Sequence, residues 1–223
     1  MTWIKQIPHL DLSKNKYSQV GEEIVIKYIF DNIGTADKYL VDFGAGDGKY
    51  LSNSLALLES GWTGLRMDGD NKGNPDVKQE FISPENILEL FRKYEVPQQF
   101  DFLSIDLDSC DFQLLQRILT YYIPRVICCE YNPAFEPHES KFLKYEKGYQ
   151  WDETTKYGFS LLAGRKLMNS HGYSLIHNHK FLNLFFIHNA VLAQNGLSAQ
   201  NVEVPNQKHI FHRFNPNAIW IDY

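Results

Sequence analysis

The stretch that decides the fold is VDFGAGDGKYLSN, residues 41–53. A short apolar run leads directly into three glycines at alternate positions, Gly44, Gly46 and Gly48. Glycine adopts left-handed backbone conformations at little steric cost and lets one backbone approach another group closely. The pattern therefore predicts a strand that ends in a tight turn beside a ligand and then continues into a helix.

The composition limits the class of protein. The chain has 223 residues, of which 43% are hydrophobic, and a formal net charge of −5. This acidity disfavours nucleic acid as a partner, because phosphate binding needs a basic face. No window approaches the ~20 apolar residues of a membrane span, and the first residues do not resemble a signal peptide. The three cysteines include the neighbours Cys128 and Cys129, which favours reduced thiols. We therefore expect a cytoplasmic protein.

Apolar periodicity alternates between strands and helices along the chain. It predicts strands over residues 38–43, 63–68, 76–81, 100–106, 125–131, 173–177 and 182–188, and helices over residues 22–33, 52–60, 84–94, 111–122 and 158–170. This alternation indicates an α/β fold with a mainly parallel sheet, helices on both faces and a terminal hairpin. We expect one domain over residues 1–223, divided into an N-terminal segment 1–17, a core 18–190 and a C-terminal extension 191–223.

The glycine turn is unusual for a dinucleotide-binding loop. That loop follows the pattern G-x-G-x-x-G, but Lys49 stands where the third glycine belongs. Asp42 and Asp47 flank the turn, and carboxylates there repel a pyrophosphate but suit a cation. Asp68 ends the second predicted strand, where its carboxylate can accept hydrogen bonds from both hydroxyls of a ribose. A nucleoside that carries a cationic substituent is S-adenosylmethionine.

The sequence resembles class I S-adenosylmethionine-dependent methyltransferases, and among them the FkbM-like branch. The resemblance spans roughly residues 18–188, and the matching stretches are SQVGEE (18–23), VDFGAGDG (41–48), GWTGLRMDGD (61–70), FDFLSIDLDSCDF (100–112), CCEYNPAFEP (128–137) and YGFSLLAGRKLMNSHGYSL (157–175). The sequence departs from the branch at Ser109 and Cys110, where Gly-Asn or a similar pair is usual. We therefore expect this loop to differ on its substrate side.

The resemblance implies a Rossmann-like fold with a seven-stranded, mostly parallel sheet. Its strand order would be 3-2-1-4-5-7-6, with the seventh strand antiparallel. The resemblance also implies which residues contact the cofactor: Asp42, Gly44, Ala45 and Gly46 at the methionine half, Gln19 at its amino-acid end, Asp68 at the ribose, Ile82 at the adenine and Asp106 near the sulfonium.

Acidic residues after the fourth and fifth predicted strands suggest how an acceptor is activated. A sugar hydroxyl is a poor nucleophile at neutral pH and needs a general base or a metal ion. Asp106 and Asp108 are candidate catalytic residues, and Asp106, Glu130 and Asn132 are candidate ligands for Mg²⁺ or Mn²⁺. The alternative is that Asp108 caps the next helix and that Glu130 makes a buried hydrogen bond.

The predicted connection over residues 131–157 is long and rich in aromatic residues. Long loops in compact domains are usually functional, and aromatic faces with polar neighbours suit a sugar ring. We predict that the connection covers the acceptor, which Tyr131, Asn132 and Trp151 would contact. His138 is a further candidate base. The alternatives are that the aromatic residues only fold the loop and that His138 is an ordinary surface histidine.

These features favour an O-methyltransferase that acts on a sugar hydroxyl of a glycan or glycoside. The alternatives are a methyltransferase for another small molecule, nucleic acid or protein, and a non-catalytic module that binds S-adenosylmethionine. The (D/N)-P-P-(Y/F) motif of amino-methylating enzymes is missing, because IDLD stands after the fourth strand. Lys49 disfavours a nicotinamide oxidoreductase. The sequence leaves the oligomeric state open.

Overall fold

The computed structural model describes residues 2–203 and 208–223. Its nine strands are β1 Tyr39–Phe43, β2 Thr63–Asp68, β3 Lys78–Gln79, β4 Gln99–Ile105, β5 Ile123–Glu130, β6 Lys141–Leu143, β7 Tyr173–His179, β8 Asn183–His188 and β9 Trp220–Asp222. Six α-helices accompany them among the described residues: α1 Glu22–Ile33, α2 Leu55–Glu59, α3 Ile87–Lys93, α4 Asp111–Leu119, α5 Leu161–Ser170 and α6 Asn189–Gln194.

Seven of the strands form one sheet, in the order β3-β2-β1-β4-β5-β8-β7. The first five strands in this order, β3, β2, β1, β4 and β5, pair in parallel with their neighbours. Strand β8 runs antiparallel to both β5 and β7. Strands β6 and β9 form a separate antiparallel pair. When only the strands of the large sheet are numbered, the order is 3-2-1-4-5-7-6 with the seventh antiparallel. The predicted fold class is therefore confirmed.

The central strands are apolar on both faces because helices cover both sides of the sheet. On β5, Val126 and Cys128 pack into the cluster under α1 and α6. Their chain neighbours Ile127 and Cys129 belong to the opposite cluster, under α3, α4 and α5. All four side chains are buried, and the three cysteines of the chain are free thiols.

The third helix begins later than the sequence predicts. The pattern predicts a start at Pro84 with Ser83 as its cap, whereas α3 begins at Ile87. Ser83 and Asn86 close a turn of their own: the Ser83 N–H donates to Asn86 Oδ1 at 2.9 Å, and the Asn86 N–H donates to the Ser83 carbonyl at 3.2 Å. The Asn86 N–H also lies 3.4 Å from Ser83 Oγ, and the Ile87 N–H donates to the Ser83 carbonyl at 3.1 Å. Ser83 and Asn86 therefore cap each other's N–H groups, and residues 84–86 form a turn that leads into α3.

The segments outside the predicted core 18–190 also pack onto the domain. Ile7, in a 3-10 helical segment, is buried in the cluster under α1. Near the other end, β9 pairs with β6, so the C-terminal extension adds a strand that its polar composition did not predict. The longest helix of the described residues is α1, with 12 residues, and none there combines the length and apolar character needed to cross a bilayer.

A buried carboxylate at the amino edge of the sheet fixes the approach to β1. Asp101, on β4, is fully buried and accepts the backbone N–H groups of Ala36, Asp37 and Lys38 at 2.8–3.0 Å. It also forms an ion pair with Arg125 on β5. One side chain therefore ties the segment before β1 to β4 and β5.

Removal of this carboxylate should destabilise the domain strongly. Asp101→Ala leaves three N–H groups and Arg125 without their partner, and we expect the free energy of unfolding to fall by about 3–5 kcal/mol. The control is Asp31→Ala, whose exposed pair with Lys27 should contribute less than about 0.5 kcal/mol. Urea denaturation of both variants measures the difference. Equal stability of Asp101→Ala and Asp31→Ala would contradict the assigned role.

Candidate active site

The glycine turn joins β1 to α2 at the carboxyl edge of the sheet. Gly44 has a φ of +73°, and a Cβ at this position would lie 1.6 Å from the backbone oxygen of Asp106. The loop after β1 therefore rests directly on the loop after β4, and only glycine fits there. Gly46 also has a positive φ, +51°, but a Cβ there meets nothing within 4 Å. Between them Ala45 is buried, and its N–H donates to the Met67 carbonyl at 3.3 Å.

Asp68, the last residue of β2, lies beside this turn. Its Oδ2 accepts the Gly46 N–H and its Oδ1 accepts the Asp70 N–H, both at 2.8 Å. Each carboxylate oxygen can accept a second hydrogen bond. The two backbone contacts therefore fix the orientation of the carboxylate and leave acceptor capacity for a ligand.

Asp42 and Asp47, the two acids that flank the turn, bond to the protein itself. Asp42 is buried and accepts the Ser54 hydroxyl at 2.6 Å, and burial raises its pKa to about 6. Asp47 Oδ1 accepts the N–H groups of Lys49 and Tyr50 at 2.8 and 2.7 Å, and these bonds lower its pKa. Neither residue lines the cleft described next. Their observed partners are those of residues that shape the turn.

A cleft of about 380 Å³ opens where the loops after β1, β2, β3 and β4 meet. Clefts of ~300–1,000 Å³ are typical of small-molecule sites. The cleft is apolar on one side and acidic on another, and aromatic residues from the connection between β6 and α5 close it. Its lining consists of Gly44, Asp68, Gly69, Asp70, Phe81, Ile82, Asp106, Leu107, Asp108, Ser109, Tyr149, Gln150 and Trp151.

Three acidic side chains meet beside the cleft. Asp106, Asp108 and Glu130 each place one carboxylate oxygen within 4.8 Å of the others. Burial, followed by mutual repulsion, raises the pKa of Asp106 and of Glu130 well above the usual range. Burial also raises the pKa of Asp108 to about 6. We call these three residues the acidic cluster. It either retains a proton or needs a cation for all three groups to ionise together.

The loop that carries Asp108 is held in an unusual conformation. Asp108 has a φ of +53°, a left-handed value that is uncommon for a residue other than glycine. Asp111 closes the loop, because its carboxylate accepts the N–H groups of Leu107 and Ser109 at 2.8 and 2.9 Å. The sequence left open that Asp108 caps α4. In the structure it is Asp111 whose carboxylate accepts the N–H groups just before that helix. Backbone strain of this kind is concentrated at functional sites.

The predicted site residues divide into two groups. Six of them line the cleft: Gly44, Asp68, Ile82, Asp106, Asp108 and Trp151. The cleft lining does not include Gln19 and His138, which are exposed on the surface. Tyr131 is buried, and its hydroxyl accepts the Asn178 amide at 2.9 Å.

Asn132 lies outside the acidic cluster, although the sequence predicts it as a metal ligand and a substrate contact. Its amide nitrogen donates to the carbonyls of Thr155 and Tyr157, both at 2.9 Å, and its Oδ1 accepts the Ala134 N–H at 3.0 Å. All of its polar atoms therefore have partners inside the protein. We do not include Asn132 in the proposed site, because its hydrogen bonds hold the backbone between β5 and α5.

The structure brings in aromatic residues that the sequence analysis did not assign to the site. Tyr149 lines the cleft. Tyr157 is buried, and burial together with the nearby acidic cluster raises the pKa of its hydroxyl. His212, from the C-terminal extension, packs against both Trp151 and Tyr157. Tyr149 and Tyr157 belong to the aromatic connection that the sequence singled out, whereas no local pattern points to His212.

No family model matches the chain, and a search of curated proteins found no match. Among solved structures, the N-terminal domain of EvdMO1, crystallised with SAH and D-fucose, is similar over 83% of this chain and 94% of that one, with a TM-score of 0.44 and 12% identity. The cyclase SpnF is similar over 78% and 69%, with a TM-score of 0.36 and 10% identity. Likenesses this distant do not establish a ligand or an activity for this chain.

The two glycines of the turn should respond differently to the same substitution. Gly44→Ala forces a clash with the Asp106 carbonyl in addition to the left-handed strain, and we expect a loss of about 3 kcal/mol or more in unfolding free energy. Gly46→Ala adds only the strain, about 1–2 kcal/mol. Urea denaturation measures both. The assigned contact between the two loops is refuted if Gly44→Ala is as stable as Gly46→Ala.

Proposed function

We propose that the protein is an S-adenosylmethionine-dependent methyltransferase whose acceptor is a sugar hydroxyl. The observation that carries the proposal is the shared cleft: Asp68, Ile82 and the acidic cluster meet around one small cavity. A nucleoside donor needs a hydrogen-bond acceptor for its ribose, an apolar surface for its base and a favourable potential for its sulfonium. The three features match these needs one for one.

The residues of the cleft fit the donor. Asp68 would hold the ribose hydroxyls, because its oriented oxygens still have acceptor capacity. Phe81 and Ile82 would contact the adenine, and the methionine half would run past Gly44, which also lines the cleft. The acidic cluster favours a cation at the near end of the cleft.

The donor, when bound, supplies a methyl group already activated by the sulfonium. The protein therefore has two tasks: it orients the acceptor in line with the methyl group and it receives the proton of the acceptor hydroxyl. Asp108 suits the second task, because it lines the cleft and has a carboxyl pKa raised to about 6. Ionised at neutral pH, its carboxylate can take that proton. Glu130 and Asp106, whose carboxylate oxygens lie within 4.8 Å of it, would share that proton.

A cation in the acidic cluster is a second way to activate the acceptor. Carboxylate oxygens are the ligands that Mg²⁺ and Mn²⁺ prefer, and three of them converge within 4.8 Å. Asp106, Asp108 and Glu130 would hold the ion, which would polarise the hydroxyl. Asn132 takes no part, because its amide is bonded to the loop.

Two features favour a sugar over the other acceptors. Tyr149 and Trp151 form an aromatic wall next to the acidic cluster, and a sugar ring combines apolar C–H faces with a polar rim. The net charge of −5 and the acidic cleft oppose nucleic acid, because its phosphates would be repelled. A non-catalytic module would have no use for carboxyl groups with perturbed pKa values beside the donor. Another small molecule or a protein side chain remains the alternative acceptor.

The donor site can be tested without knowledge of the acceptor. Asp68→Ala removes the ribose contacts, and we expect the Kd of S-adenosylhomocysteine to rise about 10- to 100-fold. Asp76→Ala, an exposed acid on the adjoining loop, is the control and should bind as the wild type does. Titration calorimetry measures both. Tight binding of NAD by the wild type, with none of S-adenosylhomocysteine, would sink the proposal.

The catalytic role of Asp108 can be tested with a labelled donor and a panel of p-nitrophenyl glycosides. Asp108→Asn should reduce methyl transfer at least about 100-fold, while S-adenosylhomocysteine binds as before. If the acidic cluster works without a cation, the rate should fall as the pH drops below about 6, because Asp108 becomes protonated.

The same assay separates the two ways of activation. A cation-dependent enzyme should lose activity in EDTA and regain it with Mg²⁺ or Mn²⁺, whereas a cation-free enzyme should not respond to EDTA. Asp76→Asn is the control for the substitution itself. Normal transfer by Asp108→Asn would show that the acidic cluster serves only the structure.

A further inference from the structure

We infer that His212 is a positioning residue that holds Trp151 in place on the wall of the cleft, and through it the acceptor. The role in acceptor binding rests on the proposed function, which makes the cleft the acceptor site. The contact itself can be tested without it. We call residues 144–157 the acceptor loop and residues 208–223 the C-terminal segment.

Trp151 needs support from outside its own loop. It lines the cleft, and its indole N–H donates to the Thr154 carbonyl at 2.8 Å, three residues along. This single local bond fixes one edge of the ring but not the whole side chain. Any further restraint on the ring has to come from the groups packed against it.

His212 provides that restraint. Its ring centroid lies 4.9 Å from that of Trp151, edge to face at 85°. It lies 5.8 Å from the ring centroid of Tyr157, at 83°, and the Trp151 and Tyr157 rings are themselves 6.2 Å apart. The three rings thus form a triangle of edge-to-face contacts, the arrangement that aromatic rings prefer. Tyr157 is buried, so His212 connects Trp151 to a fixed part of the core.

The backbone around His212 is tied to the acceptor loop. The Thr155 N–H donates to the Arg213 carbonyl at 3.0 Å. Asn215 donates twice, from its N–H to the Thr155 hydroxyl at 3.2 Å and from its amide to Asp152 Oδ2 at 2.8 Å. These bonds lie one to three residues beyond His212. They fix the position from which its ring reaches Trp151.

Both ends of the C-terminal segment are anchored elsewhere on the domain. At one end the His209 N–H donates to the Pro133 carbonyl at 2.8 Å, and the His209 ring lies 3.8 Å from that of Phe181. At the other end β9 pairs with β6, and the Tyr223 N–H donates to the Ser140 carbonyl at 2.8 Å. The C-terminal segment therefore crosses the acceptor loop as a strap held on both sides, with His212 between the two anchors.

This geometry separates the acceptor from the donor. We propose that Asp68 and Ile82 bind the donor. None of the hydrogen bonds and ring contacts described above joins their loops to the C-terminal segment. Loss of the His212 ring should loosen Trp151 and weaken acceptor binding. The donor site and the acidic cluster should keep their properties.

The test uses the full chain with His212→Ala, with His212→Phe, which keeps an aromatic ring, and with His9→Ala, an exposed histidine in the N-terminal segment, as the control. The first measurement needs no acceptor. Hydrogen exchange of residues 149–157 should be about 10-fold faster in His212→Ala and should return towards wild type in His212→Phe, because the edge contacts return with the ring. Affinity for S-adenosylhomocysteine should be equal in all four proteins.

The second measurement is methyl transfer to the best p-nitrophenyl glycoside of the wild type. KM for the glycoside should rise about 10-fold in His212→Ala, with kcat changed less than about 3-fold, and His212→Phe should restore it. Unchanged exchange of the acceptor loop in His212→Ala overturns the inference, and so does an equal loss in His212→Phe. If the wild type transfers no methyl group, the proposed function fails, whereas the exchange result still decides whether His212 holds Trp151.

Discussion

The contact between Gly44 and the backbone of Asp106 is the constraint on which the site depends. It sets the turn after β1 directly against the loop after β4, with no room for a side chain between them. Gly44, beside the proposed donor residues, and Asp106, in the acidic cluster, both line the cleft at this contact. Their separation is therefore fixed by backbone packing, which is more rigid than any contact between long side chains.

Acidic groups at the two edges of the sheet behave in opposite ways. At the amino edge, Asp101 is buried but fully compensated by three N–H groups and Arg125. At the carboxyl edge, Asp106, Asp108 and Glu130 are brought together without an ion pair among the described residues, and burial raises the pKa of each carboxyl group. Concentrating like charges this way opposes stability, which supports the proposed chemical role of the acidic cluster.

Local patterns sufficed for the alternation of strands and helices and for the glycine turn, because apolar runs and glycine spacing act over a few residues. The order of the strands and the place of Ile82 came from the resemblance to a family, whereas Asp68 and Asp108 were singled out because they follow predicted strands. Asn132 could not be judged in this way, since its amide bonds residues more than 20 positions away. His212 was equally hidden, because its contact with Trp151 depends on how the C-terminal extension folds back. Where side chains meet across the fold, one sequence contains no short-range signal.

The pairing of β9 with β6 has a consequence for the order of folding. The paired residues of β6 and β9 are about 80 positions apart in the chain. Bringing them together therefore costs more entropy than forming the β7–β8 hairpin, whose strands are adjacent in the sequence. The ladder itself supplies only three residue pairs, beside the hydrogen bonds and ring contacts of the C-terminal segment. We expect the seven-stranded sheet to assemble first and the β6–β9 pair to join last, and the same pair to detach first under denaturing stress. A partly folded chain would then already have the strand ends that surround the cleft while its aromatic wall is still unformed.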